Sequence, residues 1–311
     1  MELRRLRLLH ELSRLGTVAA VAETLAYSPS SVSVQLAQLE REAGAKLLRR
    51  VGRNVELTAA GARLAAYAAE ALAADEAIRT ELAGARDAPR GRLRMTFVQT
   101  PALALLPGVL EQLAQTAPDL QVEVVQRETA PALEELRSRA VDLVVGIEYD
   151  PLPVPRQRDV DRDNLLREDV LLAVHPEHPA APRRGPVRLA ACEHAAWGSG
   201  HRGTGLDAVV RNVCNRLGGF EPDVHHRSDD GLVLSALVAS GRAISLLPAL
   251  LTAAVPQIVA RRLREERLQR TIFTATRTTA AEAPAVLAAR QALRHTARRV
   301  AAGRRELEVV A

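Results

Sequence analysis

The sequence of 311 residues contains few aromatic side chains and almost no cysteine. Trp, Tyr and Phe together make up 2% of the chain, so a ligand site could offer few rings for stacking. The two cysteines, Cys192 and Cys214, are too few for a disulfide framework. Hydrophobic residues at 47% and charged residues at 25% are ordinary for a globular chain, and the length allows two or three domains.

Long apolar runs and an apolar leader are also missing from the sequence. The most apolar stretch, residues 231–256, is interrupted by Arg242 and Pro248, which argues against a membrane span. The N-terminus begins directly with an amphipathic pattern and does not resemble a signal peptide. We therefore expect a cytoplasmic protein that does not enter a membrane.

The charge balance is mildly basic, with a formal net charge of +5 and a single lysine, Lys46. Residues 1–58 hold nine cations against six glutamates, which is compatible with nucleic-acid binding without proving it. His225-His226 and Asp229-Asp230 could suggest a metal, but neighbouring strand residues face opposite ways and no C-x-x-C or H-x-x-x-H pattern supports one. No metal or other cofactor is predicted.

Residues 17–58 carry the most informative local pattern. Thr17 can cap a short helix, and Ser28-Pro29 provides an N-cap and a first helical residue for a second one. Val32, Leu36 and Leu39 mark the inner face of that second helix, and small or polar residues occupy its outer face. Two short helices joined by a tight break predict a helix-turn-helix, and the basic segment 46–58 predicts a β-wing that turns at residues 52–54.

A second helix with small outer side chains can enter a major groove and read base edges, while wing arginines suit phosphates or the minor groove. The alternative is a three-helix structural cap whose arginines are only solvated. On the first interpretation the DNA-binding residues are Thr17, Ser28, Pro29, Ser30, Ser31, Ser33, Val34, Gln35, Gln38, Arg50 and Arg53.

The residues of this segment are similar to those of one protein family over about sixty positions without a gap. The residues in register are Gly16-Thr17, Ala20, Leu25, Ser28, Val32-Ser33, Gln35, Leu39-Glu40, Gly44, Leu47, Arg50, Arg53 and Leu57-Thr58-x-x-Gly61. Together they resemble the N-terminal domain of LysR-type transcriptional regulators. Pro29, Val34 and Leu48 depart from the family's usual Gln, polar residue and Phe. The first two lie on the base-reading face, so the departures concern the target sequence rather than the fold.

A long helix is predicted from Thr58 to about Ala83. Its apolar stripe, at alternating steps of three and four, consists of Leu64, Tyr67, Ala71, Ala74, Ile78 and Leu82. A single helix cannot bury such a stripe alone, so the stripe must pack against a partner helix or against the surface of its own domain. The resemblance implies the first: a linker helix that forms a dimer, matching the need to read two half-sites. Residues 84–91 have the composition of a hinge.

From residue 92 onward strands alternate with helices, which predicts parallel α/β sheets. One βαβαβ set covers residues 93–147 and a second covers residues 169–247, so a cleft should lie between two lobes. Loose motifs extend the resemblance to nearly the whole chain: Leu106-Pro107, Pro118, Val141-Asp142-Leu143, Pro176-x-x-Pro179, Gly219-Phe220-x-Pro222 and residues 237–248. They imply the family's effector domain, with the fold of periplasmic binding proteins and two crossings between lobes, here near 161–167 and 268–271.

The predicted architecture is therefore α/β, with an N-terminal winged helix-turn-helix that is mostly α. We expect a DNA-binding domain at 1–58, a linker helix and hinge at 59–91, and an effector domain at 92–311. Lobe I would hold about 92–163 and 269–300, and lobe II about 164–268.

Ligands of open α/β sheets bind beyond the carboxyl ends of strands, near helix N-termini. This rule and the family's inducer cleft point to Gln99, Thr100, Thr129, Gly146, Ser199, Gly200, His201, Arg202, Thr204 and Ser228. Arg202, among hydroxyls and helix N-termini, suggests an anionic effector such as a carboxylate. The alternative is that residues 198–203 form only a flexible loop.

The sequence thus predicts a non-enzymatic, sequence-specific regulator that binds double-stranded DNA and a small molecule and forms a homodimer or homotetramer. The resemblance implies RNA polymerase as a further partner. The alternative is a binding-protein-like α/β enzyme with a DNA-binding appendage, which would need a nucleophile–base pair or metal constellation that the sequence does not present. A redox role for Cys192 and Cys214 is a minor alternative, because their local sequences do not resemble the family's oxidant-sensing motif.

Overall fold

The computed structural model describes residues 1–51, 54–84, 88–181 and 185–310. The N-terminal part consists of α1 (Leu3–Leu15), α2 (Val18–Thr24), α3 (Pro29–Ala43), β1 (Leu48–Val51), β2 (Asn54–Leu57) and α4 (Ala59–Gly84). The strands β1 and β2 pair antiparallel, Leu48 opposite Leu57 and Val51 opposite Asn54. This is the predicted winged helix-turn-helix followed by the predicted long helix.

Local side-chain chemistry sets the bounds of α2 and α3. Thr17 Oγ1 accepts a hydrogen bond from the Ala20 amide at 3.2 Å, and Ser28 Oγ accepts one from the Ser31 amide at 3.1 Å. Each serves as the N-cap that an unpaired first turn requires. Gly44 ends α3 with a φ of 62°, a left-handed conformation that glycine adopts without strain.

The helix α4 begins against the wing because two residues of the Leu57-Thr58-x-x-Gly61 motif hold it there. The Thr58 hydroxyl donates to the Lys46 carbonyl at 2.7 Å and accepts from the Gly61 amide at 3.0 Å. A β-carbon at Gly61 would collide with the Leu47 carbonyl oxygen, so only glycine permits this approach. The motif is therefore a packing requirement of the junction between wing and helix.

The remaining chain forms two α/β lobes. The helices are α5 (Gln99–Thr116), α6 (Thr129–Arg137), α7 (Gly205–Val213), α8 (Gly231–Ala239), α9 (Ala249–Thr252) and α10 (Pro284–Ala301). The strands are β3 (Gly91–Phe97), β4 (Leu120–Gln126), β5 (Leu143–Tyr149), β6 (Val160–Val174), β7 (Ala196–Ser199), β8 (Asp223–Arg227), β9 (Ser245–Pro248), β10 (Val259–Arg261), β11 (Gln269–Arg277) and β12 (Leu307–Val309).

Lobe I is built on the strand order β6-β11-β5-β3-β4, in which β3 pairs parallel with both β4 and β5. The carboxyl-terminal half of β6 continues into lobe II, where it pairs antiparallel with β9 and β10. The short parallel pair β7-β8 completes lobe II and joins it through a bridge between Trp197 and Ile244. The two lobes therefore share one continuous strand.

Several predicted bounds need correction. The first crossing, predicted near 161–167, lies within strand β6, which pairs with β11 over residues 160–169 and with β9 and β10 over residues 170–174. Within the second set, helix α7 ends at Val213 and is followed by a π-helical turn, Cys214–Gly218. The short strands β10 and β12 were not predicted, because three residues are too few to show an alternating pattern.

The DNA-binding part and lobe I are in contact through ion pairs. Glu76 of α4 pairs with Arg277 at the end of β11 at 2.6 Å and also accepts a hydrogen bond from Thr279. Arg14 of α1 pairs with Glu134 of α6. None of the described helices is long and apolar enough to cross a membrane.

Candidate DNA-binding face and effector cleft

The outward face of α3 is exposed and built from small side chains. Val32, Leu36 and Leu39 are buried in the core of the DNA-binding part, as predicted from the sequence. Ser30, Ser33 and Val34 are exposed on the other side, and Val34 keeps 62% of its surface accessible. This face of α3 is therefore accessible to a partner.

Other predicted DNA-binding residues are engaged within the chain. The Gln35 amide oxygen accepts a hydrogen bond from Arg5 Nε of α1 at 2.9 Å. Gln38 donates to Glu42 at 3.2 Å and accepts from Arg41 at 3.0 Å. Ser31 is half-buried in the first turn, whereas the capping residues Thr17 and Ser28 are exposed. The amide side chains are therefore held in place by the fold before any partner arrives.

The wing offers one exposed arginine whose side chain makes no ion pair with the described residues, Arg50 on β1. Its neighbour Arg49 pairs with Glu56 across the hairpin at 2.8 Å, and Lys46 lies 3.7 Å from Glu40. Arg53, the other predicted wing residue, lies outside the residues that the structure describes. Glu40 also accepts hydrogen bonds from the Leu47 and Leu48 amides, which fixes the wing beside α3.

The helix α4 has one buried face and one exposed apolar face. Ala65 and Ala68 pack in the DNA-binding core, and Leu72 is also buried. Of the predicted stripe, Leu64 and Ala71 pack partly against that core, whereas Tyr67, Ala74, Ile78 and Leu82 are exposed. Ile78 leaves 47% and Leu82 63% of their surfaces accessible in the single chain.

A cavity of about 330 Å³ lies between the two lobes. Its walls come from the carboxyl ends of β3, β4 and β5 in lobe I and from the starts of α7 and α8 in lobe II. The apolar wall consists of Val98, Ala130, Pro131, Ile147, Tyr149, Leu152, Val154, Leu206, Leu247, Pro248 and Leu251. This is the position expected for a ligand of an open α/β fold.

Four of the ten predicted effector residues line this cavity: Gln99, Thr100, Thr129 and Thr204. The other six, Gly146, Ser199, Gly200, His201, Arg202 and Ser228, are not among its lining residues. Gly146 lies under the Phe273 ring, and Ser199 is fully buried. Arg202 is exposed, so the residue that suggested an anionic effector stands outside the cavity wall.

The sequence-based search missed the charged residues of the wall, which are Glu128, Glu148, Asp229 and Arg270. Glu128 is the residue directly before α6, and Asp229 follows β8 before α8, so the same strand-end rule could have found both. Arg270 and Glu148 lie within strands that the rule does not consider.

Two of these four charges are neutralised by partners within the chain. Arg270, only 3% exposed, donates through Nε to Glu168 Oε1 at 2.7 Å, and Glu168 is fully buried. Glu148 lies 2.6 Å from Arg162 and 3.1 Å from Arg156. Burial opposes ionisation of Glu148, but hydrogen bonds from these two arginines outweigh it and lower the pKa of the carboxyl.

The other two charges face the cavity with weaker compensation. Glu128 makes no side-chain hydrogen bond or ion pair with any residue that the structure describes, and burial together with the charge of Asp229 raises its pKa. Asp229 accepts hydrogen bonds from the backbone amide of His201 at 3.0 Å and contacts His201 Nδ1 at 2.9 Å. Glu128 belongs to lobe I and Asp229 to lobe II, so like charges oppose each other across the cleft.

Gln99 connects the lobes at the edge of the cavity. Its side-chain amide donates to Asp230 Oδ1 at 2.7 Å, and its carbonyl accepts from the Gly231 amide at 2.8 Å. Asp230 also caps α8 by accepting from the Leu232 amide at 2.8 Å. Both hydrogen-bonding ends of Gln99 are thus used by the first turn of α8.

Both cysteines are fully buried with free thiols. Burial, with a smaller effect of Glu265, raises the pKa of Cys192 to about 11. Burial, with a smaller effect of Cys192, raises the pKa of Cys214 to about 12. The thiolate is the reactive form, so neither residue has the environment of a reactive cysteine.

Two family models match this chain and together span most of it. Residues 3–62 match the bacterial regulatory helix-turn-helix of the lysR family, and residues 86–298 match the LysR substrate binding domain. The chain belongs to the LysR family of transcriptional regulators. The first match covers α1 to the start of α4, and the second covers both lobes and the cleft.

The chain is similar to named LysR regulators over most of its length. The transcriptional dual regulator GltC of Bacillus subtilis is 27% identical over 248 residues, which cover 80% of this chain and 81% of GltC. A probable hydrogen peroxide-inducible genes activator of Streptomyces viridosporus is 32% identical over 260 residues, covering 79% and 80%. The crystal structure of full-length CbnR in complex with its target DNA is 25% identical with a TM-score of 0.51, covering 95% of this chain and 99% of CbnR. The chain is therefore a DNA-binding transcriptional regulator that carries an effector-binding domain.

Proposed function

We propose that the outward face of α3 reads the operator, with Ser30, Ser33 and Val34 entering the major groove. The exposure of Val34 supports this assignment, since its methyl groups suit the methyl group of thymine. Pro29 and the capping residues Thr17 and Ser28 would lie beside the DNA backbone. Ser31, Gln35 and Gln38 remain predicted contacts that must first leave or share their partners within the chain.

Arg50 on the wing supplies a phosphate or minor-groove contact in this proposal, and the same role stays a prediction for Arg53. CbnR, by the description of its structure, binds its target DNA as a full-length protein. That chain and this one share a fold over nearly their whole length, which supports a similar docking of α3.

The exposed stripe of α4 is proposed as the dimer surface. Tyr67, Ala74, Ile78 and Leu82 form one apolar edge of a helix whose opposite edge is already packed on its own domain. A second copy of α4 would cover this edge and place two copies of α3 on two half-sites. We retain the division of the chain into DNA-binding, linker and effector parts at about residues 58 and 91. Assembly to a tetramer and contact with RNA polymerase remain further predictions.

The cavity between the lobes is proposed as the effector site. It is enclosed on both sides, it is mainly apolar, and Thr100, Thr129 and Thr204 bring hydroxyl groups to its wall. Helix α7 begins at the cavity with Gly205, and α8 begins there with Gly231, so amide groups are also near. Several relatives are named as peroxide-inducible activators, but the two buried thiols of this chain do not support a cysteine-based response.

Strand β11 supports a route from the cavity to the DNA-binding part. Arg270 at its start lines the cavity, and Arg277 at its end pairs with Glu76 of the linker helix. A change in the angle between the lobes would displace the Arg270 end of this strand and so alter the position of α4. In this proposal the effector domain is a two-state element whose equilibrium is shifted by occupancy of the cleft.

The DNA-reading assignment is tested with Val34→Asp, which places a negative charge opposite the DNA phosphates. We expect operator affinity, measured by fluorescence anisotropy on the DNA flanking the protein's own gene, to fall at least about tenfold. Val125→Asp is the matched control, because Val125 is an exposed valine of β4 in the effector part. Equal affinities of the two variants would contradict the assignment of α3.

Ligand turnover separates the regulator from an enzyme that carries a DNA-binding part. A ligand that saturates the cleft, changes the footprint and is recovered unchanged supports the regulator. Conversion of the ligand would support the enzyme, and a footprint that no cleft ligand alters would support an architectural DNA-binding protein.

A further inference from the structure

The charges of the cleft do not balance once each ion pair is counted. Among the residues that the structure describes, Arg270 is the one cation of the wall, and its charge is neutralised by the fully buried Glu168. Glu148 is neutralised in the same way by Arg162 and Arg156. The remaining wall charges, Glu128 and Asp229, are both negative, and Asp229 contacts His201, which carries a charge only when it is protonated.

These two carboxylates come from opposite lobes. Glu128 is held at the start of α6 and Asp229 at the end of β8, so their repulsion opposes closure of the lobes. Burial and then the charge of Asp229 raise the pKa of Glu128, against a smaller opposing effect of Arg270. A positive charge between them would remove both the repulsion and the unpaired burial of Glu128.

The rest of the wall specifies the body of the ligand. Ile147, Leu152 and Val154 of lobe I face Leu206 and Leu251 of lobe II, and these are apolar side chains without hydrogen-bonding groups. Burial of an apolar body against them is favourable by the area that it removes from water. A fully hydrated ion such as a free metal cation would leave that wall unused.

We propose that the effector is a small organic cation, with an apolar body in the cavity and an ammonium or guanidinium group between Glu128 and Asp229. This rests on the proposed function of the cleft as the effector site. The cation would bridge the lobes and draw them together, so binding and closure would be one event. An anionic effector would meet two carboxylates and an arginine that is already paired.

The experiment uses the full-length protein and sets of three compounds that share one carbon skeleton and differ only in charge. One set is 3-phenylpropylamine, 3-phenylpropanol and 3-phenylpropanoate, and a second set is hexylamine, hexanol and hexanoate. Isothermal titration calorimetry measures the affinities. We expect the amines to bind at least about tenfold more tightly than the carboxylates, because one charge-assisted contact has that magnitude.

Two variants assign this preference to the cleft. Glu128→Gln and Asp229→Asn keep the shape and remove one charge each, and each should weaken amine binding roughly tenfold to a hundredfold while the alcohols are unaffected. Glu123→Gln is the matched control, because Glu123 lies on β4 beside Arg92 and outside the cavity. Thermal unfolding of each variant checks that it folds.

The outcomes separate the inference from the function on which it rests. The carboxylates, if they bind as tightly as the amines or more tightly, should lose this binding when Ala130→Trp narrows the cavity. With that result the cavity would remain the effector site, but the proposal of a cationic effector would be overturned. Amine binding that Glu128→Gln and Glu123→Gln weaken equally would also overturn it. If no amine binds to the wild-type protein, the inference is overturned. If neither Ala130→Trp nor any bound ligand changes the DNA footprint, the proposed function is overturned as well.

Discussion

One arginine of the wing and three arginines of the effector half are used in opposite ways. In the DNA-binding half, Arg50 is exposed on the wing and makes no ion pair with the described residues. In the effector half, Arg270 and Arg277 are buried and Arg162 is half-buried, and each is paired with a carboxylate. A charge that must meet phosphate has to remain free, whereas a charge that holds two strands or two domains together must be matched. The number of arginines in a segment therefore says little about which charges are open to a partner.

The strongest test of this comparison is to remove one buried arginine and one exposed arginine of the effector half. Arg270→Met leaves Glu168 charged and buried, which should cost about 3–5 kcal/mol in the free energy of unfolding. The control Arg264→Met removes an exposed arginine and should change stability by less than about 0.5 kcal/mol. Urea unfolding of the purified proteins measures both.

A second substitution identifies the cause of that loss. In Arg270→Met with Glu168→Gln the stranded charge is gone, so part of the lost stability should return. If the double variant is as unstable as the single one, the cost comes from packing around Arg270 rather than from an unpaired carboxylate.

The linker helix joins the two halves, and its exposed stripe is apolar rather than charged. Ile78→Asp would bury an unpaired carboxylate in the dimer seam, at a cost of several kcal/mol. Operator affinity should then fall by a factor of about 100 or more, because the second half-site no longer adds to the first. Sedimentation velocity at micromolar concentration measures the dimer. Ala77→Asp, on an exposed position beside the stripe, is the control, and a dimeric Ile78→Asp protein would show that the seam is assigned wrongly.

A smaller effect should distinguish the exposed arginines of the two halves from each other. Arg50→Ala should weaken binding to all DNA sequences alike and reduce the slope of log affinity against log salt by about one unit, as for one phosphate contact. Arg264→Ala, which removes an exposed arginine of the effector half, should leave the slope unchanged. A loss confined to the specific operator, at constant slope, would mean that Arg50 reads bases instead.

Local sequence patterns predicted the DNA-binding half well because its determinants are local. The caps Thr17 and Ser28 accept from amides three positions further on, the inner residues of α3 recur at helical spacing, and Thr58 accepts from the nearby Gly61 amide. The cleft was predicted only in part. The strand-end rule found Thr100 and Thr129, but Arg202 was given a role from its residue type alone, and it lies outside the wall.

The rest could not be predicted because it depends on partners far apart in the sequence. Glu168 and Arg270 meet across β6 and β11, and Glu76 meets Arg277 across two domains. Which arginine is neutralised, and which carboxylate is left without a partner, follows from those distant pairings. Residue types along a single sequence carry no record of them.

The smallest expected effect concerns the two glutamates of the cleft, whose environments are opposite. Burial and Asp229 raise the pKa of Glu128, so in the folded state its charge carries a penalty at every pH above that raised value. The pKa of Glu148 is lowered by Arg156 and Arg162 in spite of burial, so its charge stabilises the fold above the ordinary carboxyl value of 4.5. The same substitution should therefore have opposite signs at the two positions.

At pH 7 we expect Glu128→Gln to raise the free energy of unfolding by less than about 1 kcal/mol and Glu148→Gln to lower it by about 1–2 kcal/mol. The gain from Glu128→Gln should shrink as the pH falls from the raised pKa of Glu128 and vanish below 4.5, where the folded and unfolded carboxyls are both protonated. The loss from Glu148→Gln should persist at 4.5 and disappear only as the pH falls through the lowered pKa of that carboxyl. Urea unfolding between pH 3.5 and pH 7 measures both curves. A destabilised Glu128→Gln at pH 7 would mean that Glu128 already has a partner in the folded chain, and the negative charge of the cleft would then not be open to a ligand.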